Sequence, residues 1–452
     1  MSEKKEKNLS KFEAIPNEVI GEILNFVDDV RVISSLCLTS KSYHEFFESA
    51  SVYNKCRNIV FKIKSTDKIK RYFVTHLRIF LSRQKIGMTN MLLSQQWEDV
   101  IVDDIDFKNF PRLEKLFICA IQNNRYKMEI SKDLKLPDEL KALHIYDVLL
   151  YSENILNMPK GLIELSIEKS PGLRDITSKF DLNGLKHLVL VDNAIGPQYI
   201  QNMKLPLTLE ILDLSNNKLG PDSAERFNSS LLPNLLELYL NKTSIGDGVT
   251  KLKVSEKLKI LQLADNHITF SALEKLWLPP ELKELDLSYN NFSGDRFRFY
   301  KFPDLLKLKL RACDISDFNV PNTLEALDLS INNIMFMEKE FNFDLLKSLS
   351  YLNLSWNTIR SIPHDLDDEN IVTVKQVKLP PRLKVLDLSG TGITDRGLEY
   401  IEIPQTLIEL HLTNNHITKL ELSNLNTREH LKVYLYYNSI KTIKSGNIDL
   451  IF

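Results

Sequence analysis

Leucine returns along most of this chain in the pattern LxxLxLxxNxL, with polar residues at many of the positions between. The pattern is clearest at residues 209–219, LEILDLSNNKL, and at residues 282–292, LKELDLSYNNF. Most steps between copies are 22 to 27 residues. The first leucines of the copies are Leu113, Leu140, Leu162, Leu185, Leu209, Leu235, Leu258, Leu282, Leu305, Leu324, Leu349, Leu383 and Leu407. This period predicts a stack of similar units that bury their apolar sides against one another.

The central LxL of each copy predicts a short strand, because alternate residues of a strand point to the same face. A last copy starts at His430, so about fourteen copies form a parallel sheet roughly 65 Å long at the usual strand spacing. Short helices are predicted at residues 196–203 and 221–228, and 3₁₀ or extended segments elsewhere. The predicted fold class is therefore an α/β solenoid with a curved parallel sheet on its concave face.

The ninth position of a copy is usually asparagine. A small polar side chain there can satisfy backbone groups where the chain leaves the strand, since buried amides need partners. We therefore predict a structural role for this set: Asn193, Asn217, Asn266, Asn290, Asn332, Asn357 and Asn415, with Thr243, Cys313 and Thr391 as substitutes.

These residues resemble the leucine-rich repeat, and the resemblance covers about three quarters of the chain. It implies a binding surface on the concave sheet, at the third, fifth and seventh positions of each copy. Candidate substrate contacts are Tyr239, Asp286, Tyr289, Lys307, Lys309, Arg311, Tyr351, Asn353, Trp356 and His411.

Aromatic and arginine side chains dominate interface energies, so Tyr239, Arg311, Tyr351 and Trp356 are the preferred contacts. With Lys307 and Lys309 beside them, the cluster favours an acidic target segment. The alternative is structural, because exposed aromatic residues can also pack on neighbouring strands.

Residues 12–50 follow a helical period instead of the repeat. Pro16 suits the first turn of a helix, and apolar residues then recur at three- and four-residue spacing. A second apolar stripe follows, and Ser42 with Glu45 forms a capping box before a third helix. The segment is predicted to be a small three-helix module after a disordered segment, residues 1–11.

The module resembles an F-box, whose family pattern is matched at Ile15, Pro16, Glu18, Val19, Ile23, Leu24, Val27, Leu36 and Leu38. The resemblance implies that these residues dock a Skp-type adaptor, which links to a cullin in an SCF-type ubiquitin ligase. The usual basic residue and tryptophan near the third helix are replaced by residues 40–43. The alternative is a helical cap that shields one end of the solenoid.

Residues 51–96 are predicted to be a linking segment and N-terminal cap of the repeat domain, residues 97–452. Residues 58–88 are rich in lysine and arginine, with apolar residues at helical spacing, and predict an amphipathic helix after a possible edge strand at residues 59–63. A basic patch for nucleic acid is the alternative.

A ten-residue surplus between Leu349 and Leu383 predicts a surface loop.

Composition is that of a soluble folded protein, with 43% hydrophobic residues and a net charge of −2 over 452 residues. Four scattered cysteines, the lack of a secretory signal and the lack of an apolar run of about 20 residues predict a cytoplasmic or nuclear protein without a membrane span. No motif for catalysis, a cofactor or a metal is present. The chain is therefore expected to be a non-catalytic substrate receptor, or alternatively a scaffold that acts without ubiquitin.

Overall fold

The computed structural model describes residues 58–63, 76–81, 113–120, 128–129, 136–150, 158–170, 172–173, 182–200, 203, 205–227, 229–293, 297–298, 305–334, 343–357, 377–421, 431–444 and 448–452. The predicted N-terminal module, with all of its candidate adaptor contacts, lies outside the described residues. So does the acidic part of the predicted surface loop. The chain forms two compact units, Met1–Asp213 and Leu214–Phe452.

The first unit contains a parallel sheet made from one strand of each successive repeat. Its strands are β1 Asn58–Ile63, β2 His76–Leu81, β3 Lys115–Ala120, β4 Met128–Glu129, β5 Ala142–Tyr146, β6 Val148–Leu149, β7 Glu164–Glu168, β8 His187–Val189 and β9 Ile211–Asp213. In the main sheet the order is β1, β2, β3, β5, β7, β8 and β9, with every pairing parallel. The short strands β4 and β6 pair separately.

The second unit repeats this arrangement. Its strands are β10 Glu237–Tyr239, β11 Ile260–Gln262, β12 Glu284–Asp286, β13 Phe297–Arg298, β14 Lys307–Lys309, β15 Phe318–Asn319, β16 Ala326–Asp328, β17 Tyr351–Asn353, β18 Val377–Lys378, β19 Val385–Asp387, β20 Ile401–Glu402, β21 Glu409–His411, β22 Lys419–Glu421, β23 Leu431–Tyr434, β24 Thr442–Lys444 and β25 Ile448–Ile451. The main sheet runs β10, β11, β12, β14, β16, β17, β19, β21, β23, β25, all parallel. The pairs β13 with β15, β18 with β20, and β22 with β24 form separate two-stranded sheets.

Helix contributes little to the described part of the chain. The α-helices there are α1 Pro197–Ile200, α2 Ser223–Arg226, α3 Phe270–Leu273 and α4 Asp395–Glu399, and the 3₁₀ helices are Ser229–Leu231, Gly246–Lys251 and Phe343–Leu345. The first two α-helices lie where short helices were predicted. The hydroxyls of Thr269 and Thr394 cap α3 and α4 by accepting the N–H of Ala272 and of Gly397, both at 3.3 Å.

The leucines of the repeat form the core of each unit. The first leucine of every predicted copy, from Leu113 to Leu407, is fully buried, and the fourth and sixth positions are buried with it. Neighbouring strands pair these positions in register, so Leu285 lies between Leu261 and Leu308. The predicted phase of the repeat and the solenoid architecture with a parallel sheet are confirmed.

The ninth-position asparagines join neighbouring repeats. In the second unit, the Asn290 Oδ1 accepts the N–H groups of Asn266, at 3.1 Å, and Ile268, at 2.9 Å, from the preceding repeat. Its Nδ2 donates to the carbonyls of Leu263, at 3.0 Å, and Leu287, at 2.8 Å. Asn266, Asn332 and Asn415 make equivalent bonds. The predicted structural role of these residues is confirmed.

Two expectations about the N-terminal end of the array are corrected, namely the helix predicted to include residues 76–81 and the start of the repeat sheet at residue 97. Residues 76–81, HLRIFL, form strand β2, where a helix was predicted; apolar residues alternate there as well as recurring at helical spacing, and pairing with β1 and β3 selects the strand. Strands in register with the main sheet therefore precede residue 97. Strand β25 pairs with β23 after the last predicted copy.

Candidate functional site on the sheet of the second unit

One face of the main sheet carries the third and fifth positions of each repeat. In most strands of the second unit the central leucine is buried while the residues on either side are half-exposed, as in β12 and β16. The seventh positions were also expected on this face, but Ser288, Ser330 and Ser355 are buried. The N–H of each is accepted by the side chain two residues earlier, for example by Asp286 at 3.0 Å for Ser288, which holds these small residues between the strands.

The eighth position of every described repeat from Leu140 onward has a positive φ, which ends the strand. These residues are Asp147, Lys169, Asp192, Asn216, Lys242, Asp265, Tyr289, Ala312, Ile331, Trp356, Gly390, Asn414 and Tyr437, with φ between 53° and 64°. Glycine, asparagine and aspartate adopt this conformation at low cost, whereas a β-branched residue such as Ile331 is an outlier. The eighth residues other than the buried Asp147 are half-exposed or exposed at the ends of their strands.

Three large apolar residues occupy this position within four consecutive strands of the main sheet, β12, β14, β16 and β17. Tyr289 is 49% exposed, Ile331 39% and Trp356 54%, and Tyr351 beside them on β17 is 37% exposed. Strained, exposed aromatic and β-branched side chains are costly for folding alone and cluster at binding sites. Tyr289, Ile331, Tyr351 and Trp356 are called the apolar edge below.

Trp356 lies directly over Gly390, which occupies the equivalent position of the next repeat. A Cβ built on Gly390 would come within 2.7 Å of the Trp356 Cδ2 and 2.9 Å of two further indole atoms. Glycine at this position therefore does two things: it adopts a φ of +64° and it leaves the surface on which the indole lies.

The basic side chains that were predicted to attract an acidic partner already have partners. Lys307 forms an ion pair with Glu284, and the Lys309 Nζ lies 3.6 Å from the Asp286 carboxylate. The Arg311 Nε donates to the Tyr289 hydroxyl at 2.8 Å, and another guanidinium nitrogen donates to the Ser330 hydroxyl at 2.9 Å. The structure does bring these predicted contacts onto one face. The charges of Lys307 and Lys309 are paired there with carboxylates, whereas Arg311 donates to two neutral hydroxyl groups.

Two carboxylates lie near Tyr351. The strand register places Asp328 of β16 and Asp387 of β19 on either side of Asn353 of β17, two residues after Tyr351. Burial raises the pKa of Tyr351, and the charges of Asp328 and Asp387 raise it further, while a hydrogen bond with Asn353 and the charge of Arg311 act in the opposite direction. The surroundings of the phenol therefore favour its neutral form.

The remaining predicted contacts differ in their positions. Asn353 is buried, and its Oδ1 accepts the Ser355 N–H at 3.0 Å, so it supports the strand instead of facing a partner. Tyr239 is half-exposed and donates its hydroxyl hydrogen to Glu237 at 2.7 Å on the distant strand β10. The His411 ring stacks on Tyr434 of β23 with centroids 4.3 Å apart.

Ile331 was missing from the predicted contacts. The signal was present in the sequence, because SINNI at residues 330–334 places a branched apolar residue at a position that seven of the twelve other described repeats fill with asparagine, aspartate or lysine. The exposed Leu207, Leu231 and Leu345 lie outside the strands of the sheet and do not join the apolar edge.

Beside Tyr289 the surface has a shallow depression of about 290 Å³ lined in part by His267, Asn291 and Asp314. Within the described ranges no group of three or more histidine, cysteine, aspartate or glutamate side chains is arranged to hold a metal ion. No described helix has the length and apolar character needed to cross a membrane.

Comparison with known proteins identifies the repeat. Models described as leucine-rich repeats match residues 206–227 and 381–401, and residues 281–300. These matches confirm the leucine-rich repeats predicted from the sequence. No F-box domain is detected.

The relatives share the repeat over part of their length. Toll-like receptor 2 type-2 of Gallus gallus is 31% identical over 46% of this chain, and the chain spans only 24% of that receptor. Podocan of Mus musculus is 24% identical over 80% of this chain and 67% of podocan. Among solved structures, YopM from Yersinia enterocolitica WA-314 is 19% identical, with a TM-score of 0.40, over 84% of this chain and 85% of that chain.

Proposed function

We propose that this chain is a non-catalytic protein-recognition subunit that binds a protein partner through the sheet face of its second unit. The observation that carries the proposal is the apolar edge formed by Tyr289, Ile331, Tyr351 and Trp356. Tryptophan and tyrosine are the side chains that most often dominate binding energy. Three of these four, Tyr289, Ile331 and Trp356, are exposed although they adopt a positive φ that glycine or asparagine adopts at lower cost.

Variants at the apolar edge test this function. Tyr351→Ala with Trp356→Ala is expected to weaken capture of the partner at least tenfold in quantitative affinity purification from the source cells, because both side chains provide exposed aromatic area in one repeat. Trp277→Ala is the matched control. Trp277 is also an exposed tryptophan, but it lies outside the strands, between α3 and β12. Equal loss of the partner in both variants, or in neither, would contradict the proposal.

We further propose that the binding serves an SCF-type ubiquitin ligase, with residues 12–50 docking a Skp-type adaptor and, through it, a cullin. The support is the F-box-like sequence pattern that begins at Ile15 and Pro16. The receptor would then act in the cytoplasm or the nucleus. The alternative is a leucine-rich-repeat scaffold or regulatory protein that holds its partner without ubiquitin.

Co-purification of the intact chain and of the Ile15→Asp, Pro16→Ala variant distinguishes these functions. A receptor is expected to recover adaptor and cullin only with the intact chain, because an unpaired carboxylate in a docking surface costs several kcal/mol, while the partner of the repeat sheet remains bound to both. Absence of adaptor and cullin from both samples, with the partner retained, would contradict the ubiquitin-ligase role and favour the scaffold.

A further inference from the structure

The sheet face of the second unit divides into two parts of different charge. Positions three to eight read ELDLSY and KLKLRA on β12 and β14, and ALDLSI, YLNLSW and VLDLSG on β16, β17 and β19. The first part contains three basic and two acidic residues. The second part contains two aspartates and no basic residue, although it carries most of the apolar edge.

The two aspartates of the second part have no ion-pair partner in the region that the structure describes. Asp328 and Asp387 each use one carboxylate oxygen to accept a backbone N–H within their own repeat, from Ser330 and Ser389, both at 2.9 Å. The other oxygen of each carboxylate remains available to a partner. This contrasts with Asp286, whose second oxygen lies 3.6 Å from Lys309.

The spacing of the two carboxylates suits a single cationic group. Asp328 and Asp387 are in register across β17, so their backbones are about 10 Å apart at two strand spacings. Asn353 lies between the two aspartates in the sheet and is buried, so it forms the base of the region between their carboxylates. The rings of Tyr351 and Trp356 flank the same region, and aromatic faces attract arginine and lysine side chains. Carboxylates bind guanidinium groups through paired hydrogen bonds.

We propose that the partner presents a basic segment, with an arginine or lysine side chain seated between Asp328 and Asp387 and against the aromatic rings of Tyr351 and Trp356. The proposal rests on the proposed function and specifies the chemistry of the partner. It replaces the acidic target expected from Lys307, Lys309 and Arg311, because the two lysines are paired with Glu284 and Asp286 within the sheet. Arg311 follows β14 and donates to the Ser330 hydroxyl, so its positive charge borders this region. The site for the basic segment is therefore limited to β16, β17 and β19.

Selection from a displayed library of random twelve-residue peptides against the intact chain tests the partner chemistry directly. The peptides that bind are expected to be enriched in arginine and lysine. Asp328→Asn with Asp387→Asn should weaken their binding at least tenfold, because it removes both negative charges. The asparagine oxygen can still accept the serine N–H, and an unchanged thermal melt checks that the fold is kept.

Lys307→Gln with Lys309→Gln is the matched control. It removes two positive charges from the same face and leaves Glu284 and Asp286 without their ion-pair partners, so the affinity for the basic peptides is expected to stay the same or to rise. Enrichment of acidic or uncharged peptides, basic peptides indifferent to the asparagine pair, or the failure to select any peptide would overturn the basic-segment proposal.

The same selection separates this inference from the proposed function. Acidic or uncharged peptides that lose binding in the Tyr351→Ala, Trp356→Ala variant would retain the sheet as a protein-binding surface while refuting its charge preference. Peptides whose binding ignores both the aspartates and the aromatic pair would contradict the inference and the assigned surface together.

Discussion

Removing one ninth-position amide should destabilise the second unit far more than an ordinary polar substitution. In Asn290→Ala the N–H groups of Asn266 and Ile268 lose their acceptor, and the carbonyls of Leu263 and Leu287 lose a donor. The side chain of Asn290 is almost completely buried, so water does not replace these bonds without opening the repeat.

The size of the effect follows from the number of groups left without a partner. An unsatisfied buried donor or acceptor costs about 1–3 kcal/mol. The two N–H groups carry most of the loss, since each of the two carbonyls retains a second lone pair. We therefore expect the free energy of unfolding of the second unit to fall by about 3–5 kcal/mol. Asn290→Thr should restore only the smaller part of this loss, because the hydroxyl of Thr243 at the same position donates to the Leu240 carbonyl at 2.9 Å.

Urea unfolding of the full chain, followed by far-ultraviolet circular dichroism, measures this change. The control is Asn291→Ala, in which the adjacent amide is exposed and accepts the Ser293 N–H at 2.9 Å, so a loss below about 1 kcal/mol is expected. Equal midpoints for Asn290→Ala, Asn291→Ala and the parent would refute the structural role of the ninth position. A changed denaturant slope would mean that the repeats unfold independently.

Three further results are expected. Leu285→Asp places a charge in the fully packed row of leucines and should abolish the cooperative melt of the second unit in circular dichroism; a parent-like melt would contradict the inward phase of β12. Gly390→Ala should displace the Trp356 indole and change its fluorescence. Gly392→Ala is the control, because Gly392 has a φ of +74° and no atom closer than 4.0 Å to the new Cβ. Both variants should cost ~1 kcal/mol of backbone strain, but only Gly390→Ala should change the fluorescence. Burial raises the pKa of Cys313 to about 12, so alkylation by iodoacetamide at pH 8, followed by peptide mass spectrometry, should be at least a hundredfold slower in the folded chain than in urea.

The repeat could be predicted from the sequence because the same period determines both the strands and the hydrogen bonds that link neighbouring repeats. The leucine spacing fixes the strands, and the asparagine at the ninth position fixes the link to the neighbouring repeat, so both could be assigned without coordinates. Residues 76–81 were assigned wrongly because their apolar residues satisfy two periods at once. Only the pairing with β1 and β3 decides between helix and strand there, and a local sequence pattern does not predict such pairing.

The candidate site was predicted less completely. Tyr351 and Trp356 were identified because aromatic residues between leucines are visible in the sequence. Their surroundings were not, because charge compensation depends on which residues of neighbouring strands stand side by side. Lys307 looked available until the register placed it beside Glu284. Ile331 was not among the predicted contacts because its exposure follows from the positive φ of the eighth position, although the branched apolar residue at that position is visible in the sequence.

The ninth-position hydrogen bonds also determine how the array can change in length. Asn266 accepts the N–H of Thr243 at 3.0 Å, and Asn290 accepts the N–H of Asn266 at 3.1 Å, so each amide meets the same backbone group of whichever repeat precedes it. Excision of residues 258–281 would bring Asn290 to the place of Asn266, and Thr243 would keep an acceptor. Excision of half that length would leave the N–H without one. Insertions and deletions are therefore expected to be tolerated in whole periods, and the reach of the proposed binding surface can evolve by copying repeats.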